Sequence, residues 1–243
     1  MYHTVVIGGG CLGAATAVSL QKKLNKLGKG KKVGLIEKAV LCAAESSRHS
    51  GIVRSANADP DASMMASIST KMWKNIREHW GIDMDVDEFG AIWIAKKNSD
   101  GDNPAWTDLS KRMEKINLVF EEIDPDSAIQ KCGTTLITDK DESYFYEPAA
   151  FQLDPSILRS ALYEAIEENG VELFEKTEVE TIVASGNSIQ SCLTNNGRFD
   201  AKHFVNATGA WSSQLFTKVG LKIPVTIEPV SVVNWMESPK QIK

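Results

Sequence analysis

Residues 5–17 read V-V-I-G-G-G-C-L-G-A-A-T-A, and the glycine spacing in this stretch decides the fold. An apolar run precedes the glycines and an alanine-rich run follows, so they mark a place where the backbone passes close to something. His3 to Gly8 reads as a short buried strand. From Cys11 to about Lys26, Leu12, Ala15, Val18 and Leu24 recur at helical spacing with lysines opposite. Gly28 and Gly30 end that helix. K-V-G-L-I-E-K, residues 32–38, is a second apolar strand closing on Glu37. Residues 3–38 therefore predict a β-α-β unit with a right-handed crossover.

Gly8-x-Gly10-x-x-Gly13 has the spacing of a dinucleotide fingerprint, in the context that gives it meaning: a strand before, a helix after, and an acid ending the next strand. Gly8 allows the tight turn, Gly10 allows a pyrophosphate to approach the backbone, and Gly13 allows helix and strand to pack closely. Cys11 and Leu12 lie between them, where the helix N-terminus offers free N–H groups and partial positive charge. Glu37, followed by Lys38, is placed to accept hydrogen bonds from ribose hydroxyls, and its charge disfavours a 2′-phosphate.

The 243 residues carry a net charge of -5, with a sequence pI of about 5.5. That balance argues against a nucleic-acid binder. Lys22, Lys23, Lys26, Lys29, Lys31 and Lys32 read as a solvated helix end. Cys11, Cys42, Cys132 and Cys192 are far apart, and His3, His49, His79 and His203 are scattered. No metal site and no disulfide framework are expected, which suits reduced thiols in the cytoplasm. No apolar run approaches the roughly 18 residues of a membrane span, and no signal-peptide pattern opens the chain. Asn206-Ala207-Thr208 matches a glycosylation sequon, read as chance.

Beyond Glu37 the regular alternation stops. Residues 43–61 read as a loop, and Met64 to Trp80 as a helix ended by Gly81. From about Asp83 to Tyr146 come F-G-A-I-W-I-A (89–95), a Gly-Asp-Asn-Pro turn (101–104), a helix near Trp106 to Ile116 and polar loops. This reads as an inserted lobe. Asp154-Pro155 starts a helix that Asn169-Gly170 ends. Val171 to Phe174 is a strand. Glu178–Val183, Ile189–Thr194 and Phe199–Phe204 form an antiparallel meander, with Asn196-Gly197 as its second hairpin. The fold class is α/β: a Rossmann-type dinucleotide domain, a parallel sheet with helices plus the meander, carrying an inserted α+β lobe.

In sum, V-V-I-G-G-G-C-L-G-A-A-T-A, G-L-I-E-K (34–38), S-S-R-H-S-G-I-V-R (46–54), F-Q-L-D-P-S-I-L-R-S-A-L (151–162) and V-N-A-T-G-A-W-S (205–212) run in one order along the chain. Together they resemble the FAD-dependent D-amino-acid oxidase superfamily, in its glycine oxidase and sarcosine oxidase branch. The resemblance implies FAD, with Glu37 on the adenosine ribose. Ser46, Ser47, Arg48, His49, Ser50 and Gly51 would run along the pyrophosphate and isoalloxazine. Ala207, Thr208, Gly209, Ala210 and Trp211 would supply a second contact, with Val179 also at the cofactor. Arg54 matches the arginine that binds a substrate carboxylate in the sarcosine oxidase branch, a role suited to a bidentate guanidinium. Some relatives attach FAD covalently through a histidine of this loop; the flanking residues here differ, and His49 is expected to orient rather than to bond.

The resemblance divides the chain into residues 1–82 and 151–226 as the FAD-binding domain, 83–150 as the substrate lobe, and 227–243 as the start of a further lobe segment. Relatives continue beyond that point, so the chain is expected to be C-terminally incomplete: a fragment of a longer protein, a truncated gene product, or one half of a split enzyme that associates with a chain supplying the rest. The implied reaction is hydride transfer to flavin from an amino acid or secondary amine. Three alternatives stand beside it: a 2-hydroxy-acid dehydrogenase or oxidase, a non-catalytic FAD-binding subunit, and an NAD-dependent dehydrogenase. The meander and the A-T-G-A-W-S turn speak against the last.

Overall fold

Val5 and Val6 have no exposed surface, as expected of a strand covered on both faces. The computed structural model describes residues 1–28, 30–57, 59–84, 86–98, 104–132 and 136–229. In chain order its elements are β1 (Tyr2–Ile7), α1 (Cys11–Lys26), β2 (Val33–Ile36), β3 (Ile52–Val53), α2 (Pro60–Lys74), α3 (Ile76–Trp80), β4 (Ala91–Lys96), α4 (Pro104–Lys115) and β5 (Glu121–Ile123). There follow α5 (Pro125–Cys132), β6 (Glu142–Glu147), β7 (Phe151–Gln152), α6 (Pro155–Asn169), β8 (Glu172–Phe174), β9 (Val179–Ser185), β10 (Ser188–Thr194), β11 (Gly197–Asn206) and α7 (Ser212–Thr217). The turn expected at 101–104 lies outside the described residues, apart from Pro104 at the start of α4, as does the segment from 230 to 243.

The chain divides into two compact units. The first gathers Met1–His49, Arg77–Met84 and the chain from Pro155 through the end of the described residues; the second gathers Ser50–Ile76 and the described residues between 86 and 154. The first unit holds a six-stranded sheet in the order β8-β2-β1-β11-β10-β9. β8, β2, β1 and β11 run parallel, while β11, β10 and β9 form the antiparallel meander. α1 buries Gly13, Ala14, Ala17, Val18, Gln21 and Leu24. The buried Gln21 is fully used: Oε1 accepts the Val33 N–H at 2.7 Å, and Nε2 donates to Asn25 Oδ1 at 2.8 Å and to the Lys31 carbonyl at 3.0 Å. It ties the helix to the start of β2.

The second unit holds a three-stranded antiparallel sheet, β4-β6-β5, and the short β3–β7 pair. Its core is aromatic. Phe145 stacks on Phe120 at 5.4 Å and on Trp106 at 5.6 Å, and Met113 and Leu109 join them.

Ser50–Ile76 groups with the second unit rather than with residues 1–82. Hydrogen bonds explain the grouping: β3 pairs with β7, Leu153 N–H donates to the Gly51 carbonyl at 2.9 Å, and the Ala56 N–H reaches Glu147 at 3.2 Å. The helix expected over 64–80 is broken at Asn75, whose φ/ψ of -110°/34° leaves the helical region and whose amide donates back to the Lys71 carbonyl at 2.9 Å. Three helices begin at an Asp-Pro pair. Asp59 accepts from the Ala62 N–H at 2.8 Å, and Asp124 accepts from the Ser127 N–H at 2.9 Å; the third is Asp154-Pro155. The first two follow the N-cap logic in which a side-chain oxygen satisfies an orphan amide.

Candidate functional site

In the first unit, β1 lies between β2 and β11, so the chain leaves β1 to one side and returns on the other much later. Open α/β sheets bind ligands outside the carboxyl ends of strands at such a switch point. Gly8 N–H donates to the Ile36 carbonyl, Ala207 N–H to the Ile7 carbonyl and Cys42 N–H to the Gly9 carbonyl, each at 2.8 Å. These bonds gather the strand ends around a groove of about 380 Å³, within the roughly 300–1,000 Å³ of small-molecule sites.

The three glycines of the fingerprint differ in what holds them. Gly8 has φ +110°, and a Cβ there would sit 2.4 Å from the Ala207 carbonyl oxygen. A Cβ on Gly13 would lie 1.9 Å from the Gly8 carbonyl oxygen, so helix and strand could not pack as they do. Gly10 has an ordinary φ of -72°, and a Cβ would meet only Ser46 Oγ, at 3.2 Å. Gly10 lines the groove. The protein's own backbone thus explains Gly8 and Gly13, whereas the bare Cα of Gly10 leaves room for a ligand.

The first turn of α1 contains no acidic residue, and its early N–H groups have no partner within the helix. One of them, Cys11 N–H, is capped from outside by Ser46 Oγ at 2.9 Å. Glu37 Oε2 accepts the Gly9 N–H at 2.7 Å and Oε1 the Ala39 N–H at 2.8 Å. Each carboxylate oxygen retains a further acceptor site, so Glu37 remains able to take a ribose hydroxyl. Burial raises the Cys11 thiol, and burial first, then the Cys11 and Glu37 charges, push Cys42 up to about 11. Both stay protonated near neutrality and are poor nucleophiles.

The opposite wall starts where β11 ends. Asn206 Oδ1 accepts the Thr208 hydroxyl at 2.7 Å and the Thr208 N–H at 3.1 Å, a local side-chain turn that carries the chain into Gly209–Trp211. Trp211 faces the groove, and Lys38 Nζ lies 4.0 Å from the ring centre, a cation–π contact between the two walls.

Of the residues expected to hold a cofactor, Gly8, Gly10, Cys11, Leu12, Glu37, Lys38, Ser46, Val179, Ala207, Thr208, Gly209 and Trp211 line this groove. Gly13 lies just behind it. Ser47, Arg48 and His49 belong to the same unit but do not line it; Ser47 Oγ donates to the Ala44 carbonyl, and His49 Nε2 is 3.0 Å from the Ser46 carbonyl. Ser50, Gly51 and Arg54 belong to the second unit. Gly51 is needed there by φ +81° and by Leu153 O, 2.4 Å from where its Cβ would stand. Arg54 donates to the Ala56 carbonyl, and its guanidinium lies 4.6 Å from the Trp93 ring centre.

The groove also takes in Ala210, expected within the same turn, and residues that sequence reasoning did not select: Ile7, Ile36, Ala43, Ala44, Glu45, Thr177, Glu178, Gln214, Leu215 and Lys218. Ile7 and Ile36 were signalled by being last in their strands. Thr177 enters through a backbone bond, its N–H donating to the Glu37 carbonyl at 2.9 Å, for which no residue type is diagnostic. Among the described residues, no group of three metal-ligating side chains occurs and no helix is long and apolar enough to cross a membrane.

A family profile described as FAD dependent oxidoreductase matches residues 3–242. The glycine oxidase of Geobacillus kaustophilus is 26% identical over 237 residues, covering 92% of this chain and 59% of that protein. The mitochondrial pyruvate dehydrogenase phosphatase regulatory subunit of Mus musculus is 23% identical over 213 residues, 88% of this chain and 23% of that one. The chain therefore spans well under two thirds of these relatives. The L-proline dehydrogenase of P. horikoshii superposes with a TM-score of 0.79 at 24% identity, over 94% of this chain and 58% of that one, and has the same fold. With the profile covering nearly every residue, the chain belongs to the family of FAD-dependent oxidoreductases.

Proposed function

We propose that the groove of the first unit holds the adenosine and pyrophosphate portion of FAD, and that the whole protein oxidises an amino acid or secondary amine. The observation that carries the reading is Gly10, which lines the groove and whose added Cβ would meet no backbone of the protein, only the Ser46 hydroxyl at 3.2 Å. The first-turn amides of α1 hold the pyrophosphate, Glu37 takes the ribose hydroxyls, and Trp211 flanks the cofactor. Bound FAD supplies the hydride acceptor. Arg54 pairs with the substrate carboxylate and so aims the carbon bearing the nitrogen. A neutral amine needs no side chain to remove its proton first, and His49, held on the Ser46 carbonyl, orients the loop. The similarity to a glycine oxidase supports an amino-acid substrate. The four free thiols support a reducing compartment such as the cytoplasm.

A second reading has its own support: the similarity to a regulatory subunit favours an FAD-binding component that works within a multi-chain assembly. Anaerobic mixing with glycine and with N-methylglycine separates the two. An oxidoreductase bleaches the flavin absorbance of the loaded chain; an FAD-binding component retains it with every amine tried.

A further inference from the structure

Among the described residues, Glu147 is the one acidic or basic side chain that is buried, with no exposed surface at all. A carboxylate in such a place is costly unless its oxygens are satisfied. Here three N–H donors satisfy them. Glu147 Oε1 accepts the backbone N–H of Ser55 and, at 3.2 Å, that of Ala56. Oε2 accepts the indole N–H of Trp93 at 3.1 Å. Ser55 and Ala56 follow Arg54 directly, and Trp93 is the ring over which the Arg54 guanidinium lies.

We infer that Glu147 is a positioning residue for Arg54: one carboxylate fixes both the backbone from which the arginine projects and the ring on which its guanidinium rests. The inference builds on the reading of Arg54 as the substrate-carboxylate partner. Neighbouring contacts hold the same segment. Ser55 Oγ reaches Thr70 Oγ1 at 3.2 Å, and the Asn57 N–H donates to Ser63 Oγ at 3.1 Å. With its root and its platform held, Arg54 presents its remaining N–H groups in one geometry, and less freedom is lost when a carboxylate binds.

Chemistry requires Glu rather than Gln at this position. Glutamate offers two acceptor oxygens, whereas glutamine offers one acceptor and one donor. If a Gln oxygen faces Ser55 and Ala56, its NH₂ confronts the indole N–H; if the amide flips, the backbone clamp is lost. Either orientation releases one half of the arrangement.

The test is a double-mutant cycle on the FAD-loaded full chain, with glycine as probe and its affinity read by calorimetry. Arg54→Ala and Glu147→Gln are each expected to weaken glycine about tenfold, the effect of one charge-assisted contact. The double variant is expected to be no weaker than Arg54→Ala alone, while the FAD affinity of all three stays at the wild-type value. Wild-type glycine affinity in Glu147→Gln, with a loss in Arg54→Ala, overturns the inference and leaves the reading of Arg54 standing. Fully additive losses overturn it as well. No loss in Arg54→Ala overturns the reading of Arg54, and the inference falls with it. If Glu147→Gln does not fold, Trp93→Phe breaks the same contact from the other side and is held to the same outcomes.

Discussion

The two units make their candidate sites by opposite means. In the first, the groove is built largely from backbone: strand-end carbonyls and amides, a helix N-terminus, and glycines that supply absence rather than side chains. In the second, Arg54, Trp93 and Glu147 come from β3's trailing segment, β4 and β6, and their side chains carry the arrangement, one of them clamping backbone. A backbone site is written in the order and spacing of neighbours. A side-chain site is written in residues dozens of positions apart, with nothing periodic to join them.

The largest effects sharpen this contrast. Phe145→Ala in the second unit removes a ring with 1% exposure that stacks on two others, at a cost of about 3–5 kcal/mol. Gly13→Ala in the first adds a single methyl 1.9 Å from the Gly8 carbonyl oxygen, at a cost of about 3 kcal/mol, the upper end for overpacking. Thermal melts followed by FAD titration of the folded protein separate the pair. Gly13→Ala is expected to lose FAD binding along with stability, and Phe145→Ala to lose stability while the surviving folded fraction still binds FAD. Equal FAD affinity in both variants breaks the contrast.

How much was legible follows the same division. The glycine spacing, the strand ending in Glu37 and the alternation of the meander each lie within a few residues, so the first unit and most of its groove were readable. The second unit resisted for identifiable reasons. α2 inverts the usual pattern: it buries Ser63, Ser67 and Thr70 and exposes Met64, Met65, Ile68 and Met72, so periodicity gave no clue to the face it packs. β6 reads E-S-Y-F-Y-E, and nothing in that run marks its terminal glutamate, Glu147, as the buried one. α5 was missed although it begins with the same Asp-Pro pair that marked α6, because its eight residues carry few apolar positions. Ser46, which lines the groove, also caps α1 across 35 residues of sequence, a contact that no local pattern signals.

A smaller effect tests the sheet edge of the first unit. Hydrogen bonds from Lys32 and then Tyr2 hold the Glu172 carboxyl below its ordinary range. A depressed folded pKa contributes stability above the unfolded value, near 4.3, and loses it as pH falls through the folded one. The Lys32–Glu172 pair is partly exposed, at 66% and 34%, so the contribution is at most about 1 kcal/mol. Glu172→Gln is expected to melt slightly below wild type at pH 7 and together with it at pH 3. A gap that persists at pH 3 contradicts the assignment.

The central claim, that the groove of the first unit holds FAD, is tested most directly by titrating the full wild-type chain and Gly10→Ala with FAD, by quenching of flavin fluorescence. Gly10 has an ordinary φ and a single close neighbour, the Ser46 hydroxyl, so the added methyl is expected to lower the melting temperature far less than Gly13→Ala does. The account predicts saturable binding by wild type and a loss of about tenfold or more in Gly10→Ala, about 1.4 kcal/mol. Equal affinity in the two proteins, or no saturable binding by wild type, contradicts it.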